Sequence, residues 1–186
     1  MSENIFFNTS ELKKCGKNVI IGKTVRIRHP ELVEIGDNCI IDDFTLISGK
    51  VQLGNYVHIA SSCSLQAGNA GISIGSFSSL GAGARLFAVS TDYIKCSFDS
   101  ACYPRDIIYG AIEKKIKIDE HNQIGSNSVV LPGVSLPVGF ACSALSKIVA
   151  SKTYKPWTLI QQNPDFECRR LHKDKLIESA KNISEA

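Results

Sequence analysis

Aliphatic residues recur every six positions along most of this chain. One uninterrupted series is Ile35, Ile41, Ile47, Leu53, Ile59 and Leu65. After short breaks the series resumes at Ile74, Leu80 and Leu86, and again at Ile112, Ile118, Ile124, Val130, Leu136, Cys142 and Ile148. A helix would space its apolar residues by three and four, whereas this spacing predicts short strands separated by turns. Because side chains alternate along a strand, the repeat residue and the one two positions earlier should point inward.

The six-residue spacing predicts an all-β fold. Three short strands make one triangular coil of about eighteen residues, as in hexapeptide β-helices. Stacked coils bury a continuous aliphatic column, and the backbone of each coil pairs with the next. Roughly seven such coils fit into residues 15–154, which we predict to form a parallel β-helix domain. An antiparallel β-sandwich is the alternative, and the regular spacing over so many units disfavours it.

Three segments depart from the repeat. Residues 92–111, "DYIKCSFDSACYPRDIIYGA", form an excursion of a length that is usually functional or disordered, and its aromatic and aliphatic content disfavours disorder. Residues 1–14 are predicted to be a capping segment with a short helical turn, capped by Thr9 or Ser10 and stopped by Gly16. Residues 155–186 are predicted to be a helical tail, with a basic amphipathic helix in "DFECRRLHKDKLIESAKN".

Composition narrows the classes of function. The net charge of +3 and the lack of a dense Lys/Arg tract before the tail argue against nucleic acid as a partner. The seven cysteines contain no CxxC pair, which disfavours a disulfide framework or zinc ribbon and predicts reduced thiols in a cytoplasmic protein. No apolar stretch suits a signal peptide or a transmembrane helix, so we expect no membrane insertion.

Several stretches resemble the hexapeptide-repeat acyltransferases. They are "ELVEIGDNCIIDDFTLISGKVQLGNYVHIASSCSL", "GNAGISIG" and "STDY". The similarity is strongest to sugar acetyltransferases of bacterial surface-polysaccharide synthesis, in particular the dTDP-4-amino-4,6-dideoxyglucose N-acetyltransferases, and covers about residues 10–172. It implies a left-handed β-helix, a homotrimer with active sites at subunit interfaces, acetyl-CoA as cosubstrate without a metal, and a nucleotide-sugar acceptor, as in lipopolysaccharide O-antigen synthesis.

The resemblance also implies where the cosubstrate binds. The stretches "IGSNSVVLPGV", "SKTYKPW" and "QQNP" match the C-terminal pattern of the family. By that matching, the pantetheine of acetyl-CoA runs along Gly125, Ser126, Ala144 and a turn that contains Lys152. Either Arg169 or Arg170 is then expected to contact a CoA phosphate through a charge-assisted hydrogen bond.

Acyl transfer requires a base, donors for the oxyanion and a site that orients the thioester. Many sugar O-acetyltransferases of this fold carry the base in a Gly-His-Pro loop, but the matching stretch here, "FAVSTDYIK", has no histidine. We interpret His29 as a solvated turn residue, His121 as a coil corner, and His172 as a solvated residue or a minor phosphate contact. His58 precedes the repeat residue Ile59 and should point outward, and "NYVHIA" resembles the family, so His58 is the candidate base. A purely structural outward histidine is the alternative.

The phase of the repeat places these candidates on the triangular coil. We call its faces A, B and C after Leu53, Ile59 and Leu65, which follow one another around one coil. Residues 66–71 and the 92–111 excursion then both leave from the corner between faces C and A, and the excursion is predicted to rejoin face A at Ile112. His58 lies on face B, opposite that corner.

In a threefold assembly, that corner of one chain can cover face B of the next. We therefore predict that His58 faces Asn69, Asp92 or Tyr93 of a neighbouring chain, with Asp92 orienting the protonated ring. The alternatives are that Asp92 caps a turn and that Tyr93 packs inward.

The leading hypothesis is an acetyl-CoA-dependent N-acetyltransferase acting on a nucleotide-linked amino sugar. His58 would be the base, and a backbone N–H near the excursion or at Ser126 would bind the oxyanion. An amine demands less of a base than a hydroxyl does, so the missing loop histidine favours N- over O-acetylation, which is the first alternative. A γ-type carbonic anhydrase would need three zinc histidines, and no such pattern is present. A non-enzymatic binding module is supported by departures from the family pattern at Gln123, Phe140 and Gln161-Gln162.

Overall fold

The computed structural model of the chain describes residues 7–95, 102–104, 110–162 and 165–185. Within these ranges the backbone forms short strands, three 3-10 turns (Thr9–Glu11, Pro30–Leu32 and Tyr93–Lys95) and one α-helix. In chain order the strands and the helix are β1 (Lys14–Cys15), β2 (Ile20–Ile21), β3 (Arg26–Arg28), β4 (Val33–Ile35), β5 (Ile40–Ile41), β6 (Leu46–Leu53), β7 (His58–Ile59), β8 (Ser64–Ile74), β9 (Ser79–Leu80), β10 (Arg85–Phe87), β11 (Val89–Thr91), β12 (Ala111–Glu113), β13 (Ile116–Ile118), β14 (Gln123–Ile124), β15 (Val129–Val130), β16 (Ser135–Leu136), β17 (Ala141–Cys142), β18 (Lys147–Ile148), β19 (Thr158–Gln162), β20 (Asp165–Arg169) and α1 (Lys173–Ser184).

The strands stack as three parallel faces. Face B runs β2-β5-β7-β9-β14-β17-β19, face A runs β1-β4-β6-β8-β13-β16, and face C runs β3-β6-β8-β10-β15-β18. The long strands β6 and β8 belong to two faces because they pass from face C to face A without a break. Repeat residues lie in register down each face, as Ile41, Ile59 and Leu80 do on face B. The predicted left-handed parallel β-helix is confirmed.

Strict alternation separates the core from the functional surface. On β7 the side chain of Ile59 is 0% exposed, whereas its neighbour His58 is exposed. The inward positions of successive coils are filled mainly by isoleucine, leucine and valine, and together they form one continuous cluster. The residue that precedes the repeat position on each strand therefore points outward, and His58 is one of these residues.

The corner between faces A and B carries a column of stacked side chains. Every coil turns here through a left-handed residue, a conformation that is uncommon outside glycine. The residues are Asn18, Asn38, Tyr56, Phe77, His121, Gly139 and Trp157, with φ between 53° and 69°. The rings of Tyr56 and Phe77 stack at 4.9 Å and those of Phe77 and His121 at 5.4 Å, and His121 leans on Trp157 at 5.8 Å. We call these four rings the aromatic ladder.

The prediction that the excursion rejoins face A at Ile112 is wrong. Strands β11 and β12 pair antiparallel and form a stem outside the stack, which leaves Ile112 37% exposed. The chain returns to face A at Ile116 and Ile118, which pair with Ile72 and Ile74. The excursion still leaves from the C-to-A corner, as predicted. Its residues 96–101 and 105–109 lie outside the described ranges.

Both chain ends differ in detail from their predictions. The first turn is capped by Asn8, not by Thr9 or Ser10, because the Asn8 Oδ1 accepts hydrogen bonds from both the backbone and the hydroxyl of Ser10. The C-terminal helix begins at Lys173, since Asp165–Arg169 instead pairs antiparallel with Thr158–Gln162 and extends face B. No helix among the described residues is long and apolar enough to cross a membrane.

Candidate active site

His58 forms a pair with a carboxylate of its own chain. The His58 Nε2 lies 2.9 Å from the Asp42 Oδ2, and about half of each side chain is exposed. A carboxylate beside Nε2 favours the tautomer that carries its hydrogen there, which leaves the lone pair on Nδ1. Within the part of the chain that the structure describes, Nδ1 has no hydrogen-bond partner. An imidazole held in this way is suited to accept a proton from an acceptor group.

The sequence interpretation missed Asp42, although the repeat contains the signal. Ile40 pairs in register with His58 on the neighbouring coil. Asp42 follows Ile40 by two positions and therefore projects from the same side of the wall. The position eighteen residues before His58 is Ile40, so the repeat length alone places Asp42 near His58 on the adjacent coil.

The three residues predicted to face His58 from a neighbouring chain all lie at the C-to-A corner. Backbone N–H groups of Asn69 and Ala70 donate to the Glu113 Oε1, which ties residues 66–71 to the stem of the excursion. The Asp92 Oδ1 accepts from the backbone N–H of Ile94, so Asp92 caps the turn that follows it. Tyr93 is 80% exposed, so the alternative of inward packing is wrong. Within one chain these residues lie on the side of the β-helix opposite His58, as predicted.

Helix α1 packs along the aromatic ladder beside face B. The Tyr56 hydroxyl donates to the carbonyl oxygen of Ile183 at 3.3 Å, and Ala180 is 8% exposed. Between the helix and face B lies a cavity of about 300 Å³. It is lined on the β-helix side by Tyr56, His58 and Phe77, and on the helix side by Leu176, Ala180 and Ile183. His58 therefore stands at the wall of a cavity formed by its own chain.

Arg170 fixes the chain where it leaves the β-helix and enters α1. Its guanidinium donates to the carbonyl oxygens of His121 and Gly139 at 2.9 and 3.0 Å, and to the Gln123 Oε1 at 2.7 Å. Burial lowers the pKa of Arg170. The hydrogen bond from Arg170 gives a structural reason for glutamine at position 123, where the sequence departs from the family pattern. A CoA phosphate at Arg170 would compete with these three acceptors.

The remaining residues predicted to bind CoA lie on the B-to-C corner and at the C-terminal end. Gly125 packs so closely on the backbone of Ser143 and Ala144 that a Cβ there would collide with it. The Gly125 N–H donates to the carbonyl of Cys142, and the carbonyls of Gly125 and Ser126 accept from the backbone N–H groups of Ser128 and Leu145. Lys152 lines a second cavity of about 310 Å³ near Gln161, and Arg169 is exposed on β20.

Phe140 departs from the family pattern for a reason of packing. It is 0% exposed, and its ring meets the edge of the Tyr154 ring at 5.0 Å and 68°. The Tyr154 hydroxyl accepts from the backbone N–H of Val149 and donates to the carbonyl of Val149. Phe140 and Tyr154 thus close the end of the core. Among the described residues, no group of three His, Cys, Asp or Glu side chains is placed to hold a metal.

His121 occupies a coil corner, as predicted. The side chain is 8% exposed between Phe77 and Trp157, and its Nδ1 has no partner among the described residues. Burial lowers the pKa of His121, the nearby Arg170 lowers it further, and Glu120 opposes both. The ring is therefore neutral at pH 7 while α1 covers it.

Acidification is expected to destabilise the protein through this ring. Since the pKa of folded His121 is below that of the unfolded chain, about 6.5, the unfolded state binds the proton first. The contribution of the neutral ring is complete above about pH 6.5 and is lost as the pH falls through the folded pKa. The variant His121→Phe should flatten the dependence of the free energy of unfolding on pH, measured by urea titration between pH 7 and 5, whereas His29→Phe should not. An unchanged slope in His121→Phe would contradict this assignment.

The chain is similar in sequence and in fold to known acyltransferases. No family model matches the chain. It is 29% identical over 140 residues to a dTDP-4-amino-4,6-dideoxy-D-glucose acyltransferase of Escherichia coli, which covers 73% of this chain and 71% of that protein. A point mutant of AntD, an N-acyltransferase from Bacillus cereus, in complex with dTDP-4-amino-4,6-dideoxyglucose and coenzyme A, superimposes with a TM-score of 0.86 at 25% identity, covering 98% of this chain and 99% of the other. AntD in complex with dTDP and 3-hydroxybutyryl-CoA gives a TM-score of 0.86 at 27% identity, covering 98% and 97%.

Proposed function

We propose that this chain, whose predicted resemblance to the hexapeptide-repeat acyltransferases is confirmed by these comparisons, transfers an acetyl group from acetyl-CoA to the amine of a nucleotide-linked amino sugar such as dTDP-4-amino-4,6-dideoxyglucose. The observation that carries the proposal is the His58–Asp42 pair. The carboxylate favours the tautomer of His58 that can act as a base, and the pair stands on the outer wall of a fold that matches N-acyltransferases over 98% of the chain.

The reaction needs two proton transfers and one exchange of bonds. The sugar ammonium gives a proton to the His58 Nδ1, and the neutral amine then attacks the thioester carbonyl carbon. A C–N bond forms, the C–S bond breaks, and the CoA sulfur leaves as a thiolate. The second proton of the amine passes to that thiolate. Asp42 stabilises the imidazolium through the hydrogen bond at Nε2. The products are the amide, CoA thiol and one proton released from the imidazolium.

The stacking of the coils supports a path for the cosubstrate along face B. His58, Ser79 and Gln123 lie in register on three successive coils. Two strand spacings separate His58 from the row of Gln123, about 10 Å. A pantetheine arm that lies along Gly125 and Ser126 spans this distance and brings its thioester to His58. The backbone N–H of Ser126 or a donor from the excursion would then bind the oxyanion.

We further propose that the protein works as a cytoplasmic homotrimer in the synthesis of a surface polysaccharide such as O-antigen. The exposed side chains of Tyr93 and Ile94 at the C-to-A corner are an apolar surface suited to cover face B of a neighbouring chain. Cys39, Cys63 and Cys142 are buried thiols in the core, which suits a reducing compartment.

Purified protein with acetyl-CoA tests the proposal against its alternatives. We expect CoA thiol to be released with dTDP-4-amino-4,6-dideoxyglucose and not with its 4-hydroxyl analogue. Light scattering should give about three times the chain mass of 20.2 kDa. Release with only the hydroxyl analogue would establish O-acetylation instead. No release with either sugar, together with no binding of CoA, would support the non-enzymatic module.

A further inference from the structure

We propose that the cavity between face B and α1 receives the acyl chain of the cosubstrate, and that α1 limits the length of that chain. The inference rests on the proposed acyl transfer and adds which acyl-CoA donors the protein accepts. The cavity is formed within one chain, so no neighbouring subunit is needed to form its walls.

The lining of the cavity suits an alkyl group better than a sugar. Tyr56, Phe77, Leu176, Ala180 and Ile183 contribute apolar surface on both sides. The Ser78 hydroxyl donates to the carbonyl of Asp119 and accepts from the backbone of Asn122, so its hydrogen bonds are already made. A sugar ring placed there would bring its two free hydroxyls against a mainly apolar lining, where a hydroxyl without a partner is costly.

The position of the cavity matches the direction from which the thioester would arrive. The B-to-C corner, with Gly125 and Ser126, borders face B on one side, and α1 borders it on the other. A pantetheine that crosses face B places the carbonyl carbon beside His58. Beyond that point, the wall continues into the cavity beneath the helix, which His58 itself lines. The acyl chain therefore enters the cavity when the carbonyl is beside the base.

The size of the cavity favours short chains. Its volume of about 300 Å³ is at the lower end of ligand pockets, which span roughly 300–1,000 Å³. Ser179 lines the cavity and is exposed on the helix, and its hydroxyl donates to the carbonyl of Lys175. A larger side chain at Ser179 projects into the space without displacing the buried Ala180, so this position is suited to a test.

The test compares acetyl-CoA, butyryl-CoA and hexanoyl-CoA with the wild-type protein and three variants. In Ser179→Leu, the ratio of kcat/KM for butyryl-CoA over acetyl-CoA should fall roughly tenfold or more for each methylene that no longer fits. In Leu176→Ala, the ratio of hexanoyl-CoA over acetyl-CoA should rise. The matched control is Asn182→Leu, since Asn182 is exposed on the helix and lines none of these cavities, and it should leave both ratios unchanged.

Two outcomes would overturn the inference. One is an equal loss for every acyl-CoA in Ser179→Leu. The other is a rise in KM for the nucleotide sugar alone, which would assign the cavity to the acceptor. Calorimetric binding of butyryl-CoA and of free CoA needs no acceptor, and the ratio of their Kd values should change in the same direction. If no sugar is acetylated, the proposed function fails, and these Kd values still decide the inference.

Discussion

The variant His58→Asn is expected to lower kcat for acetylation of the sugar amine by about 10²- to 10⁴-fold. Asparagine keeps much of the shape and polarity of the side chain but cannot accept a proton at neutral pH. The KM for acetyl-CoA should change little, because the residues that we propose bind CoA lie elsewhere on the β-helix. Steady-state kinetics at saturating acetyl-CoA and nucleotide sugar measure this change.

The neighbouring carboxylates provide a matched pair for this experiment. Asp42→Asn removes the acceptor at the His58 Nε2 and should lower kcat, though less than His58→Asn does. Asp43 accepts instead from the backbone and the hydroxyl of Thr24, which lower the pKa of its carboxyl. Asp43→Asn should therefore reduce stability and leave kcat unchanged. A loss of kcat below tenfold in His58→Asn would identify His58 as a structural outward residue.

The variant Ile59→Ala is expected to lower the free energy of unfolding by about 2–5 kcal/mol. Ile59 is 0% exposed and packs between Ile41 and Leu80 of the adjacent coils, so its removal leaves a cavity in a column with little freedom to relax. Denaturant titration followed by circular dichroism measures the loss. His58→Asn, one residue away on the same strand, should change the same quantity by no more than about 0.5 kcal/mol. Similar losses in the two variants would refute the inward and outward assignments for β7.

The six-residue spacing predicted most of the architecture because each of its positions repeats one local environment. The six-residue spacing alone predicts that Ile59 points inward, that His58 points outward and that the excursion leaves from the C-to-A corner. Counting failed at Ile112, which lies six positions before Ile118 and so imitates a repeat residue. Its strand belongs to an antiparallel stem, and spacing alone does not distinguish the partner of a strand.

The surroundings of His58 were predicted less completely, because they depend on contacts between distant parts of the chain. The position of Asp42 beside His58 follows from the register of adjacent coils, so the six-residue spacing could have predicted it. The docking of α1 is different, since Arg170 reaches back 49 positions to the carbonyl of His121 and Tyr56 reaches forward 127 positions to Ile183. No periodic signal connects these pairs. Whether a neighbouring chain also contributes Asn69, Asp92 or Tyr93 to the site stays a prediction.

The number of coils between His58 and Gln123 sets the distance between the proposed base and the row of Gln123. Inserting one further eighteen-residue coil between them would extend the inward column and the backbone pairing, so the altered protein is expected to fold. The same change would move the base by one strand spacing, about 4.8 Å, relative to the corner that we propose binds the cosubstrate. The reach of the pantetheine is set by its own chemistry and does not adjust to that step. The number of coils between these two rows is therefore constrained by the size of coenzyme A. Coils added at the N-terminal end, before Ile21, face no such constraint.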